Sequence, residues 1–254
     1  MFTPKGKFGW YELMTSDTKA AGKFYSDVVG WTTKDVGDGN MPYTTFNIGD
    51  VGIAGMLHLT GHTAWVGYIT VDDVDAHVEE IVKAGGKCWR PPTDVPGMLR
   101  FAVMSDPQGA AFVVFTPNPA MPSPQRPEPP TPGTNGWHEL YTTDLEAGFN
   151  FYSKMFGWTK LSDMDMGPMG AYRIFDQGDH NQMGDGGMMT KPPMVPTPCW
   201  NFYFCVDSIN AAVDRVKAGG GTIANGPMQV PGGGWIIQGQ DPQGAMFSLV
   251  ASKE

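Results

Sequence analysis

The sequence contains no long hydrophobic run and little positive charge. Its longest uninterrupted apolar stretch is the six residues Ala110–Phe115, whereas a membrane-spanning helix needs about 20. Lys and Arg number 17 against 26 Asp and Glu, which gives a formal net charge of −9. The basic residues form no cluster of the kind that binds phosphate backbones. We therefore expect neither a membrane nor a nucleic-acid partner, and the acidic composition favours a neutral or cationic small ligand.

Cysteine is also scarce, and the beginning of the chain does not resemble a secretory signal. The three cysteines, Cys88, Cys199 and Cys205, show no CxxC spacing. Two of them on one strand would lie about 20 Å apart, too far for a disulfide. The first residues, MFTPKGKFGW, lack the apolar core of a signal peptide. These features predict a cytoplasmic protein with reduced thiols.

The chain is an internal duplication. Residues 9–32 and 136–159 align without gaps and share 13 of 24 residues, and the pentapeptide DPQGA occurs at both 106–110 and 241–245. Eight prolines fall within the sixteen residues 117–132, a composition that disfavours both helix and sheet and predicts an extended linker. We therefore predict a first domain at 5–116, a linker at 117–133 and a second domain at 134–252.

Each half shows the order β-α-β-β-β twice. In the first copy, an alternating strand pattern from Phe8 to Thr15 precedes Asp17, a residue type that caps helix N-termini, and Gly30 then marks the helix end. Strands outnumber helices at least three to one in each unit, which excludes a doubly wound parallel sheet. The predicted fold class is α+β, with four βαβββ units forming two tandem domains with curved mixed sheets.

The chain resembles the vicinal oxygen chelate superfamily, which includes glyoxalases, bleomycin-resistance proteins and extradiol dioxygenases. The resemblance rests on the paired βαβββ units, on the motif Phe-Tyr followed by Gly-Trp at the end of the first helix of each half, and on the Asp-Pro-x-Gly turn before the last strand. The pattern is similar to a glyoxalase-like branch related to lactoylglutathione lyase. The resemblance implies that each pair of units curls its sheet into a ligand-binding cup, and that the two domains pack as an intrachain pseudo-dimer compatible with a monomer.

In the metal enzymes of this superfamily, the cup carries His, Gln or Glu ligands at set strand positions. The resemblance places those positions here at a set of largely apolar residues: Trp10 and Trp137, Val66 and Asn201, and Val113 and Ser248. A register slip of one at the middle position would bring in Trp65 and Trp200 instead. Tryptophan and valine offer no donor to zinc or iron. We therefore predict no metal ligands and no cofactor.

Strand alternation indicates which other side chains would face the cups. Candidate ligand-binding residues are Trp10, Trp137, Tyr141, Tyr68, Asn201, Arg100 and Arg173. The candidate catalytic residues are Glu12, Glu139 and Tyr203, because the two glutamates occupy the same position in both copies. A structural role for the glutamates, for example in an ion pair with Arg100 or Arg173, is the alternative. His138, next to Glu139, has the parity of the helix-facing side and is interpreted as a structural histidine.

Three functions are compatible with these residues. The first is a metal-independent lyase or isomerase acting on a small molecule, with Glu12 or Glu139 as base and Tyr203 or Tyr141 as proton donor. The second is a protein that sequesters a small cationic or aromatic compound, as bleomycin-resistance proteins do. The third is a metal-dependent lyase or dioxygenase with ligands at non-standard positions such as Glu12, Glu139 or His58. The two halves also differ at cup positions, with Val66 against Asn201 and Val113 against Ser248.

Overall fold

The computed structural model describes residues 5–37, 42–121, 125–178 and 182–254, so that residues 122–124 of the predicted linker lie outside the described ranges. The order βαβββ occurs four times, as the sequence pattern predicts. The helices are α1 (Thr18–Val29), α2 (Val74–Lys83), α3 (Leu145–Phe156) and α4 (Ile209–Ala218), with a short 3-10 helix at Gly167–Met169. The strands of the first half are β1 (Phe8–Thr15), β2 (Thr32–Asp35), β3 (Thr44–Ile48), β4 (Val51–His58), β5 (Ala64–Thr70), β6 (Lys87–Val95), β7 (Leu99–Ser105) and β8 (Ala111–Pro117). Those of the second half are β9 (Asn135–Thr142), β10 (Thr159–Asp165), β11 (Ala171–Asp176), β12 (Gly186–Thr190), β13 (Cys199–Cys205), β14 (Thr222–Gln229), β15 (Trp235–Gln240) and β16 (Met246–Ala251).

The predicted helix boundaries are set by local capping. The carboxylate of Asp17 accepts a hydrogen bond from the backbone N–H of Ala20 at the start of α1, and Gly30 ends that helix in the left-handed conformation with φ of 90°. Asp144 and Gly157 do the same for α3. Glycine suits the second position because a Cβ atom disfavours positive φ. These caps explain why the helices begin and end where the sequence predicts.

Each half contributes one eight-stranded mixed sheet. The strand order is β2-β3-β4-β1-β5-β8-β7-β6 in the first half and β10-β11-β12-β9-β13-β16-β15-β14 in the second. Within every βαβββ segment, the first and last strands pair in parallel, as β1 does with β4, while the remaining neighbours are antiparallel. The mixed sheets and the four helices confirm the α+β class. No helix among the described residues is long and apolar enough to cross a membrane.

The chain forms two compact units, each of which combines segments from both halves. The first unit comprises residues 1–9, 67–123 and 138–200, and the second comprises residues 10–66, 124–137 and 201–254. The first unit thus holds most of the second and third βαβββ segments, and the second unit holds most of the first and fourth. The predicted domain boundaries coincide with the two sequence repeats. Each compact unit instead combines segments from both repeats.

A repeated hydrogen-bonded triad links the two halves inside each unit. In the first unit, the indole Nε1 of Trp200 donates to the Tyr152 hydroxyl at 2.9 Å, and that hydroxyl donates to Asp106 Oδ2 at 3.1 Å. The other oxygen of Asp106 accepts backbone N–H groups of the turn that follows it. Tyr152 belongs to the Phe-Tyr motif of the second half and Asp106 to the Asp-Pro-x-Gly turn of the first. The motifs that carry the family resemblance therefore bind each other across the duplication.

The second unit contains the matching triad with the halves reversed. Trp65 donates to Tyr25 at 2.8 Å, and Tyr25 donates to Asp241 at 3.1 Å. Burial raises the pKa of both Asp106 and Asp241 above the ordinary value, while their turn N–H groups act in the opposite direction. Because buried carboxylates are stable only when their oxygens are hydrogen-bonded, these triads are structural elements of the core.

Candidate functional site

The first candidate cluster lies on β1 and the β3–β4 hairpin of the second unit. The Tyr43 hydroxyl donates to Glu12 Oε1 at 2.8 Å and accepts a hydrogen bond from the indole Nε1 of Trp10 at 3.0 Å. Glu12 is 7% exposed. The phenol ring passes over Gly55, which is the strand partner of Glu12. We call Trp10, Glu12 and Tyr43 the first Glu–Tyr cluster.

The second half builds the same arrangement in the first unit. The Tyr172 hydroxyl donates to Glu139 Oε1 at 3.0 Å, and Glu139 is 6% exposed. Gly187 is the strand partner of Glu139, and the Tyr172 ring passes over it. We call Glu139 and Tyr172 the second Glu–Tyr cluster. In both halves, a hairpin tyrosine thus reaches across a glycine to a buried glutamate.

A buried apolar group packs against Tyr172 of the second Glu–Tyr cluster. Tyr141, Met189 and Val195 form a buried apolar group, and Tyr172 and Cys199 pack against it. Segment 191–195, which contains Val195, is stabilised by an internal hydrogen bond, because the Lys191 ammonium donates to the Val195 carbonyl oxygen at 2.8 Å. The result is a carboxylate with a tyrosine donor next to a largely apolar wall, an environment in which electrostatic and proton-transfer effects are stronger than in water.

The pKa shifts around the clusters have identifiable causes. Burial, and then the charge of Glu12, raise the pKa of Tyr43 well above its ordinary value, so the phenol remains a proton donor throughout the physiological range. Burial, followed by the charge of Glu139, raises the pKa of the Cys199 thiol to about 11. Since the thiolate is the nucleophilic form, this raised pKa disfavours Cys199 as a nucleophile at pH 7.

His138 has the structural role that its strand parity predicts. Its Nδ1 lies 2.8 Å from the carbonyl oxygen of Asp185, and its ring stacks on Phe8 with centroids 4.4 Å apart. Burial lowers the pKa of His138 to about 4, against a smaller opposing effect of the Asp185 hydrogen bond. The imidazole is therefore neutral at pH 7. Its hydrogen bond joins β9 to Asp185, the residue directly before β12.

The predicted catalytic residue Tyr203 belongs to a different set of side chains. Its hydroxyl lies in the second unit and accepts a hydrogen bond from Gln238 Nε2 at 2.7 Å. Asn201 lies two residues earlier on β13 and is buried. In the first unit, Tyr68 packs between the rings of Phe101 and Phe115. Glu139 and Tyr203 thus belong to separate compact units.

Arg100 and Arg173 form ion pairs with carboxylates outside the two Glu–Tyr clusters. Arg173 on β11 binds Glu146 of α3 and, at 2.8 Å, Asp163 of β10, and its guanidinium lies over the ring of Phe149 on α3. Its neighbour Tyr172 points to the opposite face of the strand, because adjacent residues alternate.

Arg100 likewise binds Asp75 of α2 at 2.7 Å and Asp94 of β6 at 2.9 Å. The ligand-binding role of both arginines stays a prediction, although their ion pairs join them to carboxylates of other elements. Each faces a helix because the strand parity at its position places it on that side.

Trp10 and Trp137 differ in their surroundings. The guanidinium of Arg126, from the proline-rich segment between the halves, lies over the Trp10 ring at 5.3 Å from its centroid. Trp137 is partly buried on β9 in the same unit. Trp10 therefore combines an indole N–H bonded to Tyr43 with an aromatic face that already holds a cation.

The donor set does not fit the metals of the resembled superfamily. The positions inferred for metal ligands are occupied by Trp10, Val66 and Val113 in one half, and by Trp137, Asn201 and Ser248 in the other. Across the described ranges, no three His, Cys, Asp or Glu side chains come together as a metal-binding group. The residues present therefore do not supply the imidazole, carboxylate or thiolate donors that zinc and iron require.

The sequence interpretation missed Tyr43 and Tyr172. A signal was available, since each tyrosine stands three residues before a phenylalanine, Phe46 and Phe175, that both halves share. Each tyrosine is diagonal to the glycine it covers: Thr45 pairs with Gly55, and Tyr43 lies two residues away on the same face. The contact between each tyrosine and its glutamate follows from the strand register, which the spacing in the sequence does not give.

The glycine beneath each tyrosine gives a first testable prediction. A Cβ atom at Gly187 would overlap the Tyr172 ring. Gly187→Ala is expected to displace the ring from Glu139 and lower the free energy of unfolding by about 2–3 kcal/mol, through overpacking and loss of a buried hydrogen bond. Urea unfolding monitored by circular dichroism measures this change.

Gly234→Ala is the matched control, because a Cβ there meets no atom closer than 3.7 Å. It should change stability by less than about 0.5 kcal/mol. In a Tyr172→Ala background, Gly187→Ala should cause little further loss, since the clash is absent. An equal loss in both backgrounds would show that the glycine is needed for another reason.

Comparison with known proteins supports the family resemblance over both halves. The Glyoxalase/Bleomycin resistance protein/Dioxygenase superfamily profile matches residues 7–114 and 135–249. The chain is 32% identical over 255 residues to "Putative glyoxylase CFP32" of Mycobacterium bovis, covering 97% of this chain and 95% of that protein. It is 31% identical over 272 residues to the anthracycline biosynthesis protein DnrV of Streptomyces peucetius, covering 100% and 95%.

Solved structures agree on the fold. The Mn(II)-bound glyoxalase of Novosphingobium aromaticivorans superposes with a TM-score of 0.67 at 16% identity, covering 98% of this chain and 83% of that one. The 2,2',3-trihydroxybiphenyl 1,2-dioxygenase of Sphingomonas wittichii gives 0.68 at 13% identity, with coverage of 98% and 91%. By its matched sequence in both halves, the chain belongs to the Glyoxalase/Bleomycin resistance protein/Dioxygenase superfamily.

Proposed function

We propose that this chain is a lyase or isomerase that acts on a small molecule by acid–base chemistry without a metal ion, with Glu139 as the base. The observation that carries the proposal is the repeated Glu–Tyr–Gly arrangement, which both halves retain although the surrounding residues differ. A buried carboxylate with a fixed tyrosine donor is suited to proton transfer. The residues at the inferred metal positions carry no imidazole, carboxylate or thiolate group, which supports a mechanism that uses protein groups alone.

The proposed step is the removal of a proton from a carbon next to a carbonyl group. The Glu139 carboxylate takes the proton, and the C–H electron pair moves toward the carbonyl to form an enolate. The same carbon carries a hydroxyl group, so protonation of the enolate oxygen gives an enediol. That hydroxyl then gives its proton to the deprotonated donor and becomes the new carbonyl, while Glu139 returns its proton to the former carbonyl carbon, so atoms and electrons balance without an oxidant. Tyr141, in the apolar group beside Tyr172, is the proposed donor to the enolate oxygen. Tyr172 is a positioning residue that orients Glu139.

The test is hydrogen–deuterium exchange at carbon, followed by proton NMR in D₂O. The probes are dihydroxyacetone and the hemithioacetal of methylglyoxal and glutathione. Loss of the C–H signal that depends on the protein and on Glu139 would support the proposal. Exchange that is equally fast in wild type and in Glu139→Gln would exclude Glu139 as the base.

A second candidate function, sequestration of a cationic aromatic compound, is favoured by the Arg126–Trp10 contact. The contact indicates that this aromatic face, bonded through Tyr43 to Glu12, accepts a guanidinium. Arg126→Gln is expected to free the ring and tighten binding of N-methylquinolinium by about 2–5-fold, the equivalent of one exposed cation–π contact. Tryptophan fluorescence quenching measures the affinity.

Arg90→Gln is the matched control, since Arg90 lies over the Phe101 ring at 4.8 Å in the other unit. It should leave the quenching curve unchanged. Equal affinities in wild type and Arg126→Gln would mean that the Trp10 face is not a ligand site.

A further inference from the structure

An asparagine followed by a glycine lies exposed on the edge strand of the second sheet. β14 is the last strand in that sheet, next to β15. Asn225 and Gly226 lie on β14, and both are exposed. The chain contains one other pair of this kind, Asn135–Gly136 at the start of β9. In such a pair the asparagine amide is easily attacked by the next backbone nitrogen, because glycine has no side chain to shield that nitrogen.

The strand register places the exposed pair at a bulge of β14. Asn225 pairs with Gln238 and Met228 pairs with Ile236, so two residues of β14 occupy the place of one on β15. Gly226 has a φ of 88°, and a Cβ atom there would lie 2.5 Å from the Ile236 carbonyl oxygen. Bulged residues stand outside the regular ladder of backbone hydrogen bonds. The Gly226 nitrogen therefore lies at an irregular point of an edge strand.

The first half forms the corresponding bulge with different residues. On β6, Arg90 pairs with Val103 and Thr93 pairs with Phe101, which is the same interruption of the register. The residue after Arg90 is Pro91, whose backbone nitrogen has no hydrogen to lose. A bulge at this place thus does not require an asparagine–glycine pair. Attack by the backbone nitrogen is possible in the second half and excluded at the equivalent position of the first.

The Asn225 amide is held in position but open to water. Its Nδ2 donates to Gln238 Oε1 at 3.2 Å. A single hydrogen bond at an exposed position restrains a side chain only weakly, because water replaces it. Exposure also admits the water that is needed to take up a proton and to hydrolyse the product. The local structure therefore leaves the amide accessible to reaction.

Asn135 has the same glycine neighbour in the opposite environment. Its Oδ1 and Nδ2 are both buried. A Cβ atom at Gly136 would lie 2.7 Å from the Cys205 Sγ, and the backbone N–H of Cys205 donates to the Thr134 carbonyl oxygen at 2.8 Å. A buried amide in a strand paired at this point neither turns toward the next nitrogen nor meets water. Asn135 thus provides an internal control.

We propose that Asn225 is a site of spontaneous deamidation in the folded protein. The Gly226 nitrogen loses its proton to water and bonds to the side-chain carbonyl carbon of Asn225, which closes a five-membered succinimide ring. The C–N bond of the side-chain amide breaks, and its NH₂ group takes up a proton and leaves as ammonia. Water then opens the ring at either carbonyl carbon. One water is consumed and one ammonia released, without oxidation or reduction.

The product differs from asparagine in charge and in backbone. Either product adds a negative charge, and aspartate lacks the N–H group that donates to Gln238 Oε1. Isoaspartate directs the main chain through the former side-chain carbonyl and so inserts one carbon atom into β14 beside Gln238. The reaction uses neither Glu139 nor a substrate, so it is independent of the proposed function.

The test incubates the folded full chain in mildly alkaline buffer made with heavy-oxygen water, followed by peptide mapping with mass spectrometry. Asparagine is a thermolabile residue, and replacing its NH₂ group by a heavy-oxygen hydroxyl adds about 3 Da. We expect this label and isoaspartate at Asn225, and neither at Asn135. Asn225→Gln is the matched variant. It keeps an amide but requires a larger, less favoured ring, so the label at this position should fall to background.

Incubation in urea provides the reference for an unfolded chain, in which both pairs should be labelled. A folded protein that gains no label at Asn225 would overturn the proposal, since the fold would then protect this amide. Equal labelling of Asn135 and Asn225 in the folded protein would overturn it as well, because the local structure would not select the site. Label that persists at position 225 in Asn225→Gln would exclude the succinimide route. None of these results depends on the exchange assay for Glu139.

Discussion

Replacement of Glu139 by glutamine is expected to slow carbon-bound proton exchange by about 10²–10⁴-fold, the usual contribution of a general base. Glutamine keeps the shape of the side chain and an acceptor for the Tyr172 hydroxyl, but it cannot take up a proton. The overall structure should therefore be retained while proton removal is lost. The measurement is the initial rate of C–H signal loss in D₂O, with thermal unfolding as the check on folding.

Glu12→Gln is the matched variant, because Glu12 has the same tyrosine bond in the other unit. It should reduce the rate by less than about twofold if the second cluster carries the reaction. A large loss in Glu12→Gln with none in Glu139→Gln would assign the base to the first cluster instead.

Tyr172→Phe separates positioning from proton transfer. Loss of the hydrogen bond to the charged carboxylate raises its pKa, so the acidic limb of the pH–rate profile should move to higher pH. The rate at the optimum should fall about tenfold or less, in line with a single lost hydrogen bond. An unchanged pH profile would indicate that Tyr172 has only a packing role.

Removal of the Asp106 carboxylate is expected to have the largest effect on stability. Asp106 is 2% exposed and accepts hydrogen bonds from three backbone N–H groups and from Tyr152. Asp106→Ala leaves all of these donors buried without an acceptor. The free energy of unfolding should fall by about 3–5 kcal/mol, as when one partner of a buried charged network is deleted. Urea unfolding measures the change.

Two variants make this prediction specific. Asp106→Asn keeps one oxygen for the turn and should lose less than half as much stability. Asp214→Ala removes an exposed carboxylate on α4 and should change stability by less than about 0.5 kcal/mol. Because Asp241 has the matching role in the second unit, Asp241→Ala should resemble Asp106→Ala. A small effect in both would show that the turns hold without their carboxylates.

The two halves have kept the same framework but not the same surfaces. A Glu–Tyr cluster recurs in each half and an Asp–Tyr–Trp triad in each compact unit, whereas the face around Tyr68 is apolar and aromatic and that around Tyr203 is polar. Duplication permits this divergence, since a fold held by repeated core contacts tolerates different residues on a surface that bears none of them.

Much of the framework follows from local sequence signals. Asp17 and Gly30 fix the ends of α1 because a side-chain acceptor and a left-handed glycine satisfy the terminal backbone groups of a helix. Strand alternation along β9 sets the side of the sheet on which His138 lies. The same parity correctly assigns His138 a structural role. These features depend only on neighbours in the chain, so they can be deduced from the sequence.

The candidate site required contacts between distant strands. Tyr43 and Tyr172 act on glutamates 31 and 33 residues away, through a register that the sequence does not state. The sequence offers Arg100 and Arg173 both as ligand-binding residues and as ion-pair partners of the two glutamates. Their helix-facing parity instead joins them to carboxylates on other elements.

The sequence by itself determined the duplication, the four βαβββ segments and the helix caps, because residue identity and short-range periodicity encode all of these. The tertiary structure decided which tyrosine meets which glutamate, which half each Asp-Pro-x-Gly turn binds and which polar atoms remain unsatisfied at Asn201 and Ser248. Those outcomes depend on strand register and on the exchange of segments between units. Both depend on contacts between residues that lie from 31 to 216 positions apart in the chain.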